Sequence, residues 1–242
     1  MEISKEKTVA EFVRENIKTT DIFYRYGIDY CCGGGISIEE ACKRKNIGVE
    51  ELLKQLEIVN KEVIQEDVDY KSWALDDLIN HIVQKHHQYV RESIPVIIQY
   101  SDKVAKVHGK SHPEVIKINK LFHEVAKELT SHMQKEENIL FPYIADLLKV
   151  QEGTKENQIP PFGTVNNPIR MMIAEHEEAG SLLSEIARLS SNYTPHEEAC
   201  NTFRALYSKL KEFEQDLHIH IHLENNILFI RAIELEEQLS GK

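Results

Sequence analysis

Two stretches of this chain pair an imidazole with a carboxylate at the spacing that suits metal ligation. One reads His132-Met133-Gln134-Lys135-Glu136-Glu137-Asn138-Ile139-Leu140-Phe141, and the other reads His220-Ile221-His222-Leu223-Glu224-Asn225-Asn226-Ile227-Leu228-Phe229. Both contain His-x-x-x-Glu followed by Asn-Ile-Leu-Phe. On an α-helix four residues turn about 400° and rise roughly 6 Å, so each His and Glu share a face. That face is apolar. Leu121, Phe122, Val125 and Leu129 lead into the first pair, with Leu140, Tyr143 and Leu147 after it. Phe203, Leu206, Leu210, Phe213 and Leu217 lead into the second, with Ile227 after it. A carboxylate inside a core stripe is unfavourable unless a positive charge neutralises it. The same violation twice, at the same spacing, points to one shared cation site rather than to two hydrogen-bonded polar pairs.

A third segment adds His176, inward on the stripe Ile169, Ile173, His176, Gly180, Leu183, Ala187. Gly180, one turn later, leaves room beside it. On a fourth segment His81, His86 and His87 all lie near the right level. A helical wheel puts His86 closest to the centre of the apolar face, and periodicity does not choose among the three. His218 and His222 flank His220 off its face and read as surface residues or as supports for the ligands. His81, His86, His108 and His123 read as ordinary helix histidines or as groups that orient ligands and relay protons. His112 and His196 stand at helix starts, where capping or surface exposure accounts for them.

The elements that must carry these residues are helical. Ser111-His112-Pro113-Glu114 and Thr194-Pro195-His196-Glu197 read as capping boxes with Pro in the first turn, and Asn167-Pro168 opens a third helix. The expected long helices run over 74–107, 111–150, 167–191 and 194–239, with Pro95 kinking or breaking the first. Strand signals are nearly absent, and four such helices indicate an all-α four-helix bundle. Residues 61–73 are polar, mixed in charge, and read as a linker. Residues 1–60 hold four short helices: Thr8-Val9-Ala10-Glu11 and Ser37-Ile38-Glu39-Glu40 are capping boxes, Gly27 stops the second helix, and Gly48 precedes the fourth. Between them, Asp29-Tyr30-Cys31-Cys32-Gly33-Gly34-Gly35 is a backbone-permissive turn presenting two thiols. They either pack idly or pass iron, exchange disulfides or react with nitric oxide. Cys42 and Cys200 read as packing residues.

Composition narrows the partners. The 242 residues carry 29 basic and 40 acidic side chains, a formal net charge of -11, and 41% hydrophobic residues. With no basic patch or basic–aromatic stretch, nucleic acid is not an expected partner. No apolar run approaches the roughly 20 residues that span a bilayer, and Met1 to Glu11 lacks the apolar centre of a signal peptide. The expected location is the cytoplasm, where four cysteines are reduced thiols rather than a disulfide framework.

Taken together, Tyr30-Cys31-Cys32-Gly33-Gly34 followed by a bundle with both His-x-x-x-Glu pairs and Glu175-His176-Glu177-Glu178-Ala179-Gly180 resembles the repair-of-iron-centres family. The resemblance spans nearly the whole chain. It implies a small N-terminal ScdA-type domain over 1–60, the linker 61–73, and a hemerythrin-like up-down four-helix bundle over 74–242. In that family the ligand of the first long helix precedes a proline by eight residues, which selects His87 before Pro95. The implied site is His87, His132, Glu136, His176, His220 and Glu224, holding two iron ions in an oxo-bridged centre with Glu136 and Glu224 bridging. Cys31 and Cys32 are the implied redox or iron-relay thiols. Among the other histidines the family tends to carry one at His108, which with His81 stands as a supporting group for the ligands.

The implied function is repair of iron–sulfur clusters damaged by oxidative or nitrosative stress, by donation of iron to damaged iron–sulfur proteins. The alternative is a di-iron enzyme or sensor that binds or reduces nitric oxide or senses dioxygen; the sequence does not decide whether the chain is an enzyme. A homodimer is one way for so small an N-terminal domain to cover its apolar faces.

Overall fold

A computed structural model describes residues 3–31, 33–61 and 69–241. Cys32 and residues 62–68 of the expected linker lie outside the described residues. The architecture is all-α, a helical bundle plus short helices. The only β-type pairing among the described residues is an isolated antiparallel bridge between Thr8 and Ser37. The chain divides into two compact units, Met1–Leu78 with His218–Glu234, and Ile79–Leu217 with Leu235–Lys242.

In the first unit, α1 (Val9–Glu15) starts where expected: the Thr8 side chain accepts from the Glu11 amide while Glu11 reaches back to the Thr8 amide. α2 (Thr19–Arg25) stops at Gly27, whose φ of +62° is open to glycine at little strain. α3 (Ile38–Lys45) is capped by Ser37 and ended by left-handed Asn46, and α4 (Val49–Lys61) follows. Phe12 packs edge-on against Phe23 at 6.4 Å, with Leu52 and Leu56 fully buried. Between α2 and α3 the Asp29 carboxylate accepts from the backbone amides of Cys31 and Gly33, both at 2.9 Å, which folds the turn. A Cβ on Gly34 would sit 2.6 Å from the Tyr30 carbonyl oxygen, so the chain passes there only as glycine.

The long helices carry a feature that 3.6-residue periodicity hides. α5 consists of Leu75–His81, a π-helical turn Ile82–His87, and Gln88–His108. α6 consists of Glu114–Lys135, a π turn Glu136–Leu140, and Phe141–Gln151. α7 is Asn166–Leu189, and α8 consists of Asn201–Leu223, a π turn Glu224–Leu228, and Phe229–Leu239. A π turn inserts one residue into the helix. The repeated Asn-Ile-Leu of the sequence closes both the second and third of these turns.

Burial shows the consequence. Past Glu136 the core face of α6 is Leu140, Phe141, Ile144 and Leu147, while the expected Tyr143 is only half-buried. α7 has no π turn, yet its buried positions are Pro168, Ile169, Met172, His176, Ala179, Leu183 and Ile186, so there too Met172, Ala179 and Ile186 replace the expected Ile173, Gly180 and Ala187. The helix runs unbroken through Pro95, and its irregularity lies upstream in the π turn ending at His87. Two expected helix starts also differ. Ser111 does not cap α6, which begins at Glu114. α8 begins at Asn201 rather than Thr194, because the Arg204 guanidinium donates to the carbonyls of His196, Glu197 and Ala199 and holds that segment as a loop.

Candidate metal centre

The buried acids and imidazoles collect at the π turns. His87 is the last residue of the first, Glu136 the first of the second, and Glu224 the first of the third. Glu136 and Glu224 are fully buried, as is His87, and His132, His176 and His220 are at most 2% exposed. The Glu136 carboxylate lies 3.4 Å from His87 Nε2 and 3.3 Å from His132 Nε2. His132 and His176 face each other through their Nε2 atoms at 2.9 Å, and His220 Nε2 stands 3.0 Å from Glu224. Ligand atoms converge in two sets, each within 4.8 Å: His87, Glu136, His220 and Glu224, and His132, Glu136, His176 and Glu224. A Cβ on Gly180 would meet open space, so there is room one turn beyond His176.

The outward nitrogens of two ligands are held by acids that sequence periodicity did not single out. His87 Nδ1 is 2.5 Å from Glu137, and His132 Nδ1 is 2.9 Å from Glu175. Burial works against ionisation of both acids. For Glu137 the partners His87 and Arg91 outweigh it, and for Glu175 Lys135 and His132 do, so both carboxyls lie below the ordinary carboxylate range. A carboxylate at Nδ1 keeps the ring proton there and turns the Nε2 lone pair inward, the form a cation needs. The one available signal was adjacency, since Glu137 follows Glu136 and Glu175 precedes His176.

Four imidazoles and two carboxylates with their lone pairs inward form a nitrogen/oxygen donor set that fits a divalent first-row cation. Hydrogen bonding alone gives no reason for two carboxylates to sit at the focus of four rings. This buried His/Glu cluster could hold metal.

A family model described as the hemerythrin HHE cation binding domain matches residues 78–232, and ScdA_N, a domain of unknown function, matches residues 5–60. The iron-sulfur cluster repair protein ScdA of Staphylococcus haemolyticus is 35% identical over 228 residues, 94% of this chain and 98% of that protein. The chain belongs to the repair-of-iron-centres family. Two other members show the same extent of likeness. The iron-sulfur cluster repair protein YtfE of Escherichia coli O8 is 36% identical, covering 95% of this chain and 97% of the relative. A probable iron-sulfur cluster repair protein of Haemophilus influenzae is 36% identical, covering 88% and 91%.

This repair-of-iron-centres chain departs from its sequence reading at several histidines. His86, the wheel's choice, is fully buried but bonds Asp216 through Nδ1 at 3.0 Å and belongs to neither converging set. His81 lies a turn and a half before His87 with its ring 5.6 Å from that of His86, and burial pushes its pKa down to about 4. His108 does not reach the cluster. It is 21 residues beyond His87 on the same helix, roughly 31 Å along the axis, and contacts Cys200 instead. Nor is His222 a surface residue. It is fully buried, its Nδ1 is 3.1 Å from the Asn226 side-chain amide, and its ring is 6.5 Å from Tyr30. Burial pushes His222 down to about 3, against the hydrogen bond with the Tyr30 backbone, so the ring is neutral.

Cys31 is buried, and its Sγ donates to Asp29 at 3.2 Å; Asn226 Nδ2 reaches its carbonyl at 3.4 Å. Cys42 is fully buried, whereas Cys200, expected to pack, is exposed. No helix among the described residues is long and apolar enough to cross a membrane.

Proposed function

We propose that this chain holds two iron ions on His87, His132, Glu136, His176, His220 and Glu224, and repairs iron–sulfur clusters damaged by oxidative or nitrosative stress by donating iron. The observation that carries this reading is the sharing of ligands. The two converging sets have Glu136 and Glu224 in common and differ only in their imidazoles. A carboxylate has two oxygens and bridges two cations, whereas an imidazole with its Nδ1 proton held by a neighbour offers one lone pair. Two ions, each with two imidazoles and both carboxylates, satisfy every donor. The repair names of the curated relatives supply the element and the client class, namely iron and damaged iron–sulfur proteins.

Residues 1–60 form the ScdA-type domain in this reading, 61–73 the linker and 74–242 the di-iron bundle. Cys31, with its partner Cys32, is the thiol pair through which iron is relayed or a client docked. The reaction takes place in the cytoplasm.

When bound, the iron pair supplies exchangeable coordination positions and a reversible change of oxidation state. The protein's part is to present imidazole Nε2 lone pairs, supply two buried carboxylates whose charge the cations would neutralise, and hold the site shielded by apolar rods. Four protein donors per ion leave octahedral positions unfilled. That favours a second reading, binding or reduction of nitric oxide, or sensing of nitric oxide or dioxygen, at the same ions.

The two readings separate in one pair of assays. Iron-loaded protein mixed with an apo-ferredoxin restores cluster absorbance if it donates iron. Reduced anaerobic protein given nitric oxide releases nitrous oxide over many turnovers if the second reading holds. A preparation that does neither removes both, and metal analysis other than two irons per chain removes the site assignment.

A further inference from the structure

The end of α1 carries a cation that has no paired carboxylate among the described residues. Arg14 lies half-buried in the last turn of that helix, and its Nε is buried without a hydrogen-bond partner. Glu11, one turn back, is held instead by the Thr8 amide and hydroxyl, each at 2.7 Å. A half-buried guanidinium in that state is unfavourable unless an anion meets it.

Two more polar atoms in the same state line the same cavity. It has a volume of about 50 Å³ and lies between the end of α1, the segment Asp69–Tyr70 and α8, all within the first compact unit. Asn16, 4% exposed, gives its Oδ1 to the Lys18 amide at 3.0 Å, which leaves Nδ2 buried and unbonded. His222 Nδ1 is engaged by Asn226 Nδ2 at 3.1 Å, so Nε2, also buried and unbonded, is the ring nitrogen left for the cavity. Val13 and Ile227 wall it off as buried apolar side chains. Two acids stand at its exposed rim, and each has other partners. Glu15 pairs with Lys7 at 2.6 Å, and Asp69 accepts from the Lys71 amide at 3.2 Å. The charges acting on His222 are Arg14 and Lys71, both positive.

We propose that Arg14, Asn16 and His222 bind a small planar oxyanion of the nitrate or nitrite class in this cavity. A guanidinium N–H, an amide NH₂ and an imidazole N–H give three donors and a positive charge, which suit a group made of acceptor oxygens. The imidazole holds its proton on Nε2 toward the anion while Nδ1 accepts from Asn226. The cavity exceeds the roughly 10–15 Å³ that one water needs and takes an anion of a few atoms. Bound there, the anion joins the end of α1 to the turn of α8 that carries His220 and Glu224. Arg14 and Asn16 are not candidate metal ligands, so variants at these two positions keep the metal centre's donor set whole.

The test is isothermal titration of sodium nitrate into the full chain as purified with its own metal, with ionic strength held by sodium gluconate, whose anion is too bulky for the cavity. The expected result is one saturable site per chain. Arg14→Gln weakens it about tenfold or more, the loss of one charge-assisted hydrogen bond. Asn16→Asp keeps the oxygen that accepts from Lys18 and places a carboxylate where the anion sits. It is expected to abolish nitrate binding and to raise the urea midpoint above that of the nitrate-free wild type. The proposal is overturned if the wild type shows no saturable site, or if Arg14→Gln, with an unchanged circular dichroism spectrum, binds nitrate as the wild type does. The latter is the result expected of nitrate held only at the metal centre. Failure of Asn16→Asp to raise the urea midpoint overturns it as well.

Discussion

His87 Nδ1 and the Glu137 carboxylate stand 2.5 Å apart, and the Arg91 guanidinium donates to the same Glu137 oxygen. The pair lies directly behind a candidate ligand, and it decides which nitrogen of His87 faces Glu136. Glu137→Ala is therefore expected to weaken metal binding by roughly 10- to 100-fold without removing any ligand. Competition against a chromophoric chelator measures this, and an unchanged affinity would show that packing alone orients the ring.

His176 belongs to one converging set and Glu136 to both. His176→Ala is expected to release one of two ions, while Glu136→Ala releases both. Elemental analysis of the purified variants distinguishes the cases. Equal metal content in the two would falsify the shared-carboxylate arrangement.

His222 is buried beside Tyr30 and Asn226, two residues from His220 and Glu224. Its removal leaves a gap and an Asn226 amide without its imidazole partner. His222→Ala is expected to destabilise the fold by about 2 kcal/mol, read from urea unfolding of the metal-free chain. The iron count per chain should not change, and a loss of iron would make His222 part of the site.

Tyr207 packs on Phe203 at 4.8 Å, and burial, aided by Glu114, pushes its phenol up to about 12. Its folded pKa exceeds its unfolded value near 10. The stabilisation is thus fully present below pH 10 and is lost as pH rises through 12. Urea midpoints should fall across that window in the wild type. The fall should be shallower in Tyr207→Phe, and identical slopes in the two would contradict the burial account.

Much of the local order was legible in the residues. The Thr8 and Ser37 caps hold as expected, because a cap involves only residues three or four apart. The expected cap at Thr194 failed where Arg204 gathers three carbonyls from farther along the chain, and at Ser111 the helix starts at Glu114 with no side-chain cap. The shift from Tyr143 to Ile144 has a similar origin. A π turn is selected by the packing around it and leaves the one-dimensional pattern nearly intact.

Residue order alone established that carboxylates and imidazoles share the buried face of two helices, since a four-residue step on a helix fixes that geometry whatever surrounds it. It also carried the all-α architecture, through apolar stripes and helix starts. Packing in three dimensions was needed to settle that His87 rather than His86 meets Glu136, that Glu137 and Glu175 hold the rings, that His222 is buried, and that His108 faces Cys200. Those relationships join residues on different rods, or on the same helix far apart, and their distances follow from how the rods pack rather than from spacing along the chain.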